Sequence, residues 1–138
     1  MRARYLVDTS VMARLSKLSV AAAFSPLAST GGVALCAPVI FELGYAAQSK
    51  ADYDLLMDRV SGYTTVPTTD ADHRRSLEMQ QALVDGGRHR MLSLVDALVA
   101  AVAEARQLTV LHYDGDFETL AKLTGQPHCW IVPRGSAD

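Results

Sequence analysis

Cysteine is scarce in this 138-residue chain: Cys36 and Cys129 stand far apart, outside any C-x-x-C pair and with no His at zinc spacing. That pattern excludes a disulfide-stapled scaffold and a zinc module, and predicts two buried thiols in apolar runs. No apolar stretch reaches the roughly 18 uncharged residues of a membrane span. Arg2 and Arg4 precede only Tyr5-Leu6-Val7 before Asp8, too short a run for a signal peptide, so the cytoplasm is the expected compartment. Aromatics are only 7% of the residues, and nothing in their placement marks a stacking platform for bases. No low-complexity tract, internal repeat or long linker is present.

Neither charge dominates, with thirteen Lys and Arg against fifteen acids and a net charge of −2. Setting aside Asp8, Glu42, Asp96, Asp114 and Asp116 leaves ten acids of the fifteen, so the remaining surface is mildly basic around an acidic centre. That balance suits a polyanionic substrate approaching a cation-filled pocket.

The chain is organised around its opening strand, Arg4-Tyr5-Leu6-Val7-Asp8, and the Thr9-Ser10 turn. A short apolar run ending on a carboxylate places Asp8 at the carboxyl edge of a sheet, where ligands of open α/β sheets bind. Asp8 is equally suited to cap the helix expected over Val11 to Leu18. An apolar helical segment follows from Val20, ending at Ser25-Pro26 or at Ser29-Thr30-Gly31-Gly32. Val33–Cys36 reads as a strand, and Pro38 suits the first turn of a helix to about Ser49. Helices over Ala51–Val60 and from Thr69 or Asp70 to Asp85 flank a short strand, Thr64–Val66. The second helix, with sparse apolar marks Leu77, Leu83 and Val84, is expected to be substantially solvated. After the Asp85–Arg90 loop come a helix over Leu94–Arg106, a strand over Thr109–Tyr113, a helix over Phe117–Leu123 and a strand over Cys129–Val132. Alternation of strands and helices predicts one three-layer α/β/α domain, residues 1–134, with a mostly parallel sheet and a short polar tail at 135–138.

Glu42 is the only charged side chain between Ala34 and Gln48. A helix that apolar is expected to be largely buried, and an unpaired buried carboxylate is costly. A cation site, or a salt bridge to an arginine, would account for it. Asp96 lies in similar surroundings, although Ser93 and Asp96 also fit a capping box. Asp114 follows a strand as Asp8 does, and Asp116 is placed to cap the Phe117 helix. Together these acids would repel one another and rise in pKa unless a cation neutralised them. Oxygen ligands without His or Cys favour Mg²⁺ or Mn²⁺, ions suited to activating water at a phosphodiester.

The runs Leu6-Val7-Asp8-Thr9-Ser10-Val11, Glu42 in its apolar helix, Asp96-Ala97-Leu98-Val99-Ala100-Ala101 and Asp114-Gly115-Asp116-Phe117 together resemble the PIN-domain nucleases, specifically VapC-type toxins of bacterial toxin–antitoxin pairs. The resemblance spans essentially the whole chain. It implies a Mg²⁺- or Mn²⁺-dependent endoribonuclease with Asp8, Glu42, Asp96 and Asp114 as its acidic quartet and Asp116 as an accessory acid. Asp8 and Asp96 would be the most direct metal ligands, with Glu42 and Asp114 completing the site. It also implies a homodimer held inactive by a small cognate antitoxin, for which Val20 to Leu27 and the Ala51–Val60 helix offer an apolar groove.

The chain departs from that family at His112, where Thr or Ser is usual two residues before the fourth acid. Strand alternation puts His112 on the side of Asp114, for packing or support of the site, a role Thr9 and Ser10 share as candidates. Arg88, His89 and Arg90 are candidates for RNA contact, since their loop enters the Asp96 helix and guanidinium forks suit phosphates. Two other readings stay open: a catalytically weak PIN-like binding partner, and an aspartyl-nucleophile phosphatase. The latter resembles D-x-D-x-T, in which Ser10 occupies the second Asp position.

Overall fold

The computed structural model describes residues 2–138. Five short strands form one parallel sheet: β1 (Tyr5–Val7), β2 (Val33–Cys36), β3 (Thr64–Val66), β4 (Thr109–His112) and β5 (His128–Trp130), in the spatial order β3-β2-β1-β4-β5. Seven helices cover it: α1 (Thr9–Met12), α2 (Leu18–Ser29), α3 (Ala37–Tyr45), α4 (Lys50–Val60), α5 (Asp70–Val84), α6 (Leu94–Ala105) and α7 (Asp116–Thr124). The three-layer α/β/α architecture is the one expected from the alternation of elements.

Burial on both faces explains why β1 is uninterruptedly apolar: Leu6 and Val7 are wholly buried, and Leu6 pairs with Ala34 on one side and Val110 on the other. From β1 the chain winds outward to β2 and β3, then crosses back to β4 and outward again to β5. The direction therefore reverses between β1 and β4, and a crevice opens at their carboxyl ends. Asp8 and Asp114 follow those two strands.

Several local expectations are corrected. The first helix is a single turn, Thr9–Met12, rather than a run to Leu18. Beyond it Arg14 reaches back to Ser10 O (2.9 Å) and across to Ala137 O (3.1 Å), while Lys17 N–H closes a turn on Arg14 O. The next helix passes through Pro26 because Val20 and Phe24 anchor it in the core. In α3 only Val39 and Leu43 are buried, whereas Phe41 and Tyr45 are 76% and 86% exposed. A helix apolar but for Glu42 is thus buried on one face only, and Glu42 sits partly accessible beside that face.

The buried side of α5 is Asp72, Ser76, Met79 and Leu83, while Leu77 and Val84 face solvent. Polar members of that face are satisfied: Thr69 and Asp72 form a reciprocal capping box, and Arg106 donates to Asp72 at 3.3 Å. Cys36 is buried as expected, but Cys129 is exposed because it points outward from β5, the edge strand. Residues set apart as a tail pack back onto the domain. Ala137 is buried and donates its N–H to Tyr113 Oη (2.9 Å), which donates in turn to Asp138 Oδ1 (2.7 Å). Among the described residues no helix is long and apolar enough to cross a membrane.

Candidate metal centre

Asp8 performs both roles that the sequence left open. It is the N-cap of α1, its Oδ2 accepting from Ser10 N–H (3.0 Å) and Ser10 Oγ–H (2.6 Å), and it stands in the crevice at the end of β1. Ser10 Oγ also accepts from Tyr113 N–H at 2.8 Å, which ties the ends of β1 and β4 together. Burial pushes the Asp8 carboxyl up despite the two Ser10 bonds, and the charges of Asp114 and Glu42 push it the same way.

Asp96 occupies the first turn of α6, where Ser93 Oγ accepts its backbone N–H at 3.1 Å. Among the described residues the reciprocal arm of a capping box is not made, so the Asp96 carboxylate projects into the crevice instead. Its pKa is pushed up to about 7, first by burial and then by Asp8, Asp114, Asp116 and Glu42. All four other acids are thus close enough for their charges to be felt at Asp96.

Asp114 follows β4, and its Oδ1 accepts from Asp116 N–H (2.9 Å) to form an Asx turn into α7. That turn supplies the start of α7 with Gly115 as N-cap, so Asp116 lies inside the first turn rather than capping it. Burial, then Asp114, raises the Asp116 pKa. One carboxylate oxygen each from Asp96, Asp114 and Asp116 lies within 4.8 Å of the others. Asp8 and Glu42 flank this trio. Glu42 Oε1 accepts from Thr9 Oγ1–H at 2.5 Å.

Hard oxygen donors gathered here, carrying charges that cannot comfortably coexist, fit a divalent cation. The tight trio contains Asp116, which the resemblance ranks as accessory, while Asp8 is drawn aside by Ser10.

His112 is wholly buried, its ring packed among those of Phe117, His128 and Trp130. Its Nδ1 accepts from Asp114 N–H (3.1 Å), and its Nε2 lies 2.9 Å from His128 Nδ1. A backbone N–H can only donate, so Nδ1 is unprotonated and Nε2–H donates to His128. Burial, with His128 beside it, lowers the His112 pKa to about 4, which keeps the ring neutral near pH 7. Of the loop residues singled out in the sequence, Arg88 lines a shallow cleft with Ala82, Leu83, Thr119, Lys122 and Leu123. His89 lies partly buried with an unpaired inward Nδ1 among the described residues, and Arg90 is exposed. Arg134, which no sequence motif marked, lies against Gly115: a Cβ there would be 3.1 Å from its Nη2.

A five-stranded parallel sheet with clustered acids at its switch point defines a class, and a family model described as PIN domain matches residues 5–123. The chain belongs to the PIN-domain family and, within it, groups with the VapC proteins. Ribonuclease VapC51 of Mycobacterium tuberculosis is 41% identical over 138 residues, covering 100% of both chains. Among solved structures, DNA-bound VapBC from Salmonella typhimurium matches with a TM-score of 0.79 at 16% identity, over 95% of this chain and 100% of that one. VapBC-5 from Mycobacterium tuberculosis, a member of the VapBC family of toxin-antitoxin systems, gives 0.60 at 23% identity over 94% and 99%. At those identities the two structures speak for the fold alone.

Proposed function

We propose that this chain is a Mg²⁺- or Mn²⁺-dependent endoribonuclease of the VapC type, acting in the cytoplasm as the toxin of a toxin–antitoxin pair. The observation that carries the reading is the approach of Asp96, Asp114 and Asp116 oxygens to within 4.8 Å at the switch point, with Asp8 and Glu42 beside them. The name of the VapC51 relative supports RNA as the substrate.

Asp96, Asp114 and Asp116 would hold the ion, with Asp8 and Glu42 completing its surroundings. When bound, the ion supplies neutralising charge to a phosphodiester and lowers the pKa of an attacking water. The protein's own part is orientation. Ser10 fixes Asp8 through Oδ2, Thr9 fixes Glu42 through Oε1, and His112 holds the backbone from which Asp114 projects. Such supports keep the acids facing inward although their charges repel.

The groove suited to an antitoxin helix lies between α3 and α4, lined by Ile40, Phe41, Gly44, Tyr45, Tyr53 and Met57. It shares α4 with the groove expected from sequence but takes α3 in place of α2, whose Val20 and Phe24 are spent in the core. A second apolar cleft at Leu77, Leu92, Leu94 and Ala97 is available for a homodimer contact.

The test is cleavage of total RNA with Mg²⁺, Mn²⁺ or chelator, using Asp8→Ala and Asp96→Asn as controls. Cleavage that needs the ion and vanishes in both folded variants is expected. Full activity in either variant, or undiminished activity in chelator, overturns the site. Tight binding of an antitoxin by a chain that cuts no RNA under any divalent ion would favour the binding-partner reading. The buried, inward-turned His112 speaks against that reading, since the imidazole does not block the acids. Hydrolysis of phosphomonoesters would favour the phosphatase.

A further inference from the structure

Beside the acid trio lies a polar recess of about 360 Å³ lined by Ser10, Arg14, Tyr113, Asp114, Trp130, Arg134 and their neighbours. Its two arginines are in different states. Arg14 is committed to the fold, donating to Ser10 O and Ala137 O and lying over the Tyr113 ring at 4.7 Å. Arg134 has no such commitment. Its side chain is 69% exposed, and its one ion pair among the described residues, to Glu118 Oε2, is long at 3.7 Å. Exposed pairs of that kind contribute little and yield readily to a better anion.

Arg134 is nonetheless aimed. Its guanidinium lies over the Trp130 ring at 5.6 Å, and Trp130 is fixed by an Nε1–H bond to Glu118 Oε1 at 2.6 Å. The other side of the fork rests on Gly115, where a Cβ would meet Nη1, Nη2 and Cζ at 3.1–3.2 Å. Gly115 separates Asp114 from Asp116, so a cationic fork is held at the rim of the acid cluster. Among the described residues the other charged side chain lining the recess, apart from Asp114, is Asp138, whose Oδ1 accepts from Tyr113 Oη.

We propose that Arg134 is a substrate-positioning residue that grips an RNA phosphate adjacent to the one brought to the acid trio. Planar guanidinium forks match phosphate oxygens, and a fork backed by an aromatic face loses little freedom on binding. A strand laid along this rim has one phosphate at the acids and a neighbour over Gly115. This inference rests on the nuclease reading and assigns part of its substrate register.

The test is binding of a short fluorescent single-stranded RNA, in Mg²⁺, to the Asp96→Asn protein with and without Arg134→Gln. Arg4→Gln, at the amino end of β1 on the opposite edge of the sheet, controls for net charge. Losing one phosphate contact is expected to weaken binding roughly tenfold at low salt. It should also reduce the slope of log K against log salt by about 0.7. Arg134→Lys should recover part of the affinity, and otherwise wild-type enzyme carrying Arg134→Gln should show a raised KM with kcat little changed. Equal affinity and slope with and without Arg134→Gln overturns the assignment while leaving the nuclease reading intact, as does an equal loss from Arg4→Gln. If the Asp96→Asn protein binds no RNA and the wild type cleaves none, both fall together.

Discussion

Asp96→Asn is expected to make the metal-free protein more stable while removing its metal response. The folded Asp96 carboxyl is pushed up to about 7 from its ordinary value of 3.8. A raised folded pKa means that the native state holds the proton more tightly. The associated stability is complete below pH 3.8 and is lost as pH rises to about 7. At about 1.36 kcal/mol per unit, ionised Asp96 costs the apo fold about 4 kcal/mol at pH 8, but under about 2 kcal/mol at pH 5. Against this, an acid in the first turn of α6 gains about 0.3–1 kcal/mol from the helix dipole, which Asn forfeits. The Ser93 cap bond uses the backbone N–H of residue 96 and survives the substitution. Burial and repulsion therefore win, leaving a net gain of about 3 kcal/mol at pH 8, or roughly 10 °C in Tm for a domain of this size. Melts in chelator at pH 8 and pH 5 measure it, and the advantage should shrink at the lower pH. Adding Mg²⁺ or Mn²⁺ at about 100 times its Kd should raise wild-type stability by about 2.7 kcal/mol and the variant by far less. A variant that melts no higher than wild type in chelator at pH 8 would refute the claim that these acids are electrostatically strained.

Other outcomes follow from single contacts. Ser10→Ala leaves the cap on the backbone N–H of residue 10 but removes the Oγ–H bond to Asp8 and the acceptor for Tyr113 N–H, so a loss of about 1–3 kcal/mol in denaturant melts is expected, together with weaker metal binding. His112, with its pKa lowered to about 4 from 6.5, opposes the Asp96 trend: the unfolded chain takes up its proton first, so stability falls as pH drops from 6.5 to 4. Asp96→Asn should unmask that fall, and acid melts of the variant that are no steeper than those of wild type would contradict it. Gly44→Ala places a Cβ 3.0 Å from Tyr53 Cε2, so the half-exposed Tyr53 ring must shift and the groove between α3 and α4 narrows, lowering the affinity expected for an antitoxin while RNA cleavage persists. Cys129 should react with an alkylating reagent in the native state, whereas buried Cys36 should require unfolding.

What could be read from the sequence was governed by range. Strand β1 and the acids at its end and after β4 were legible because alternation and strand-terminal carboxylates are local signals with one good structural solution. The length of α1 was not, since what ends it includes a bond from Arg14 to Ala137, 123 residues away. The exposure of Phe41 and Tyr45 was hidden for a related reason: a helix apolar but for Glu42 carries no polar stripe to say which face stays uncovered. Arg134 carried no signal because its aim comes from Trp130 and from the missing side chain of Gly115, neither adjacent in sequence. His112 read as a departure from the family, yet its ring contact with His128 could be known only once β4 and β5 were paired.

These observations share one cause. The reversal of chain direction between β1 and β4 leaves a crevice that the sheet's own side chains do not fill, and the elements bordering it converge through their amino-terminal turns or strand ends. Asp8, Asp96 and Asp116 each lie at the start of a helix, where free N–H groups and the dipole soften the cost of a carboxylate. That softening is worth tenths of a kcal/mol to about 1 at each position, less than the burial and repulsion that lift Asp96 to about 7. The fold can therefore assemble the acids but cannot neutralise them. The residual field makes a cation, followed by a phosphate held at a rim where Arg134 supplies the opposite charge, the least costly occupants of the crevice.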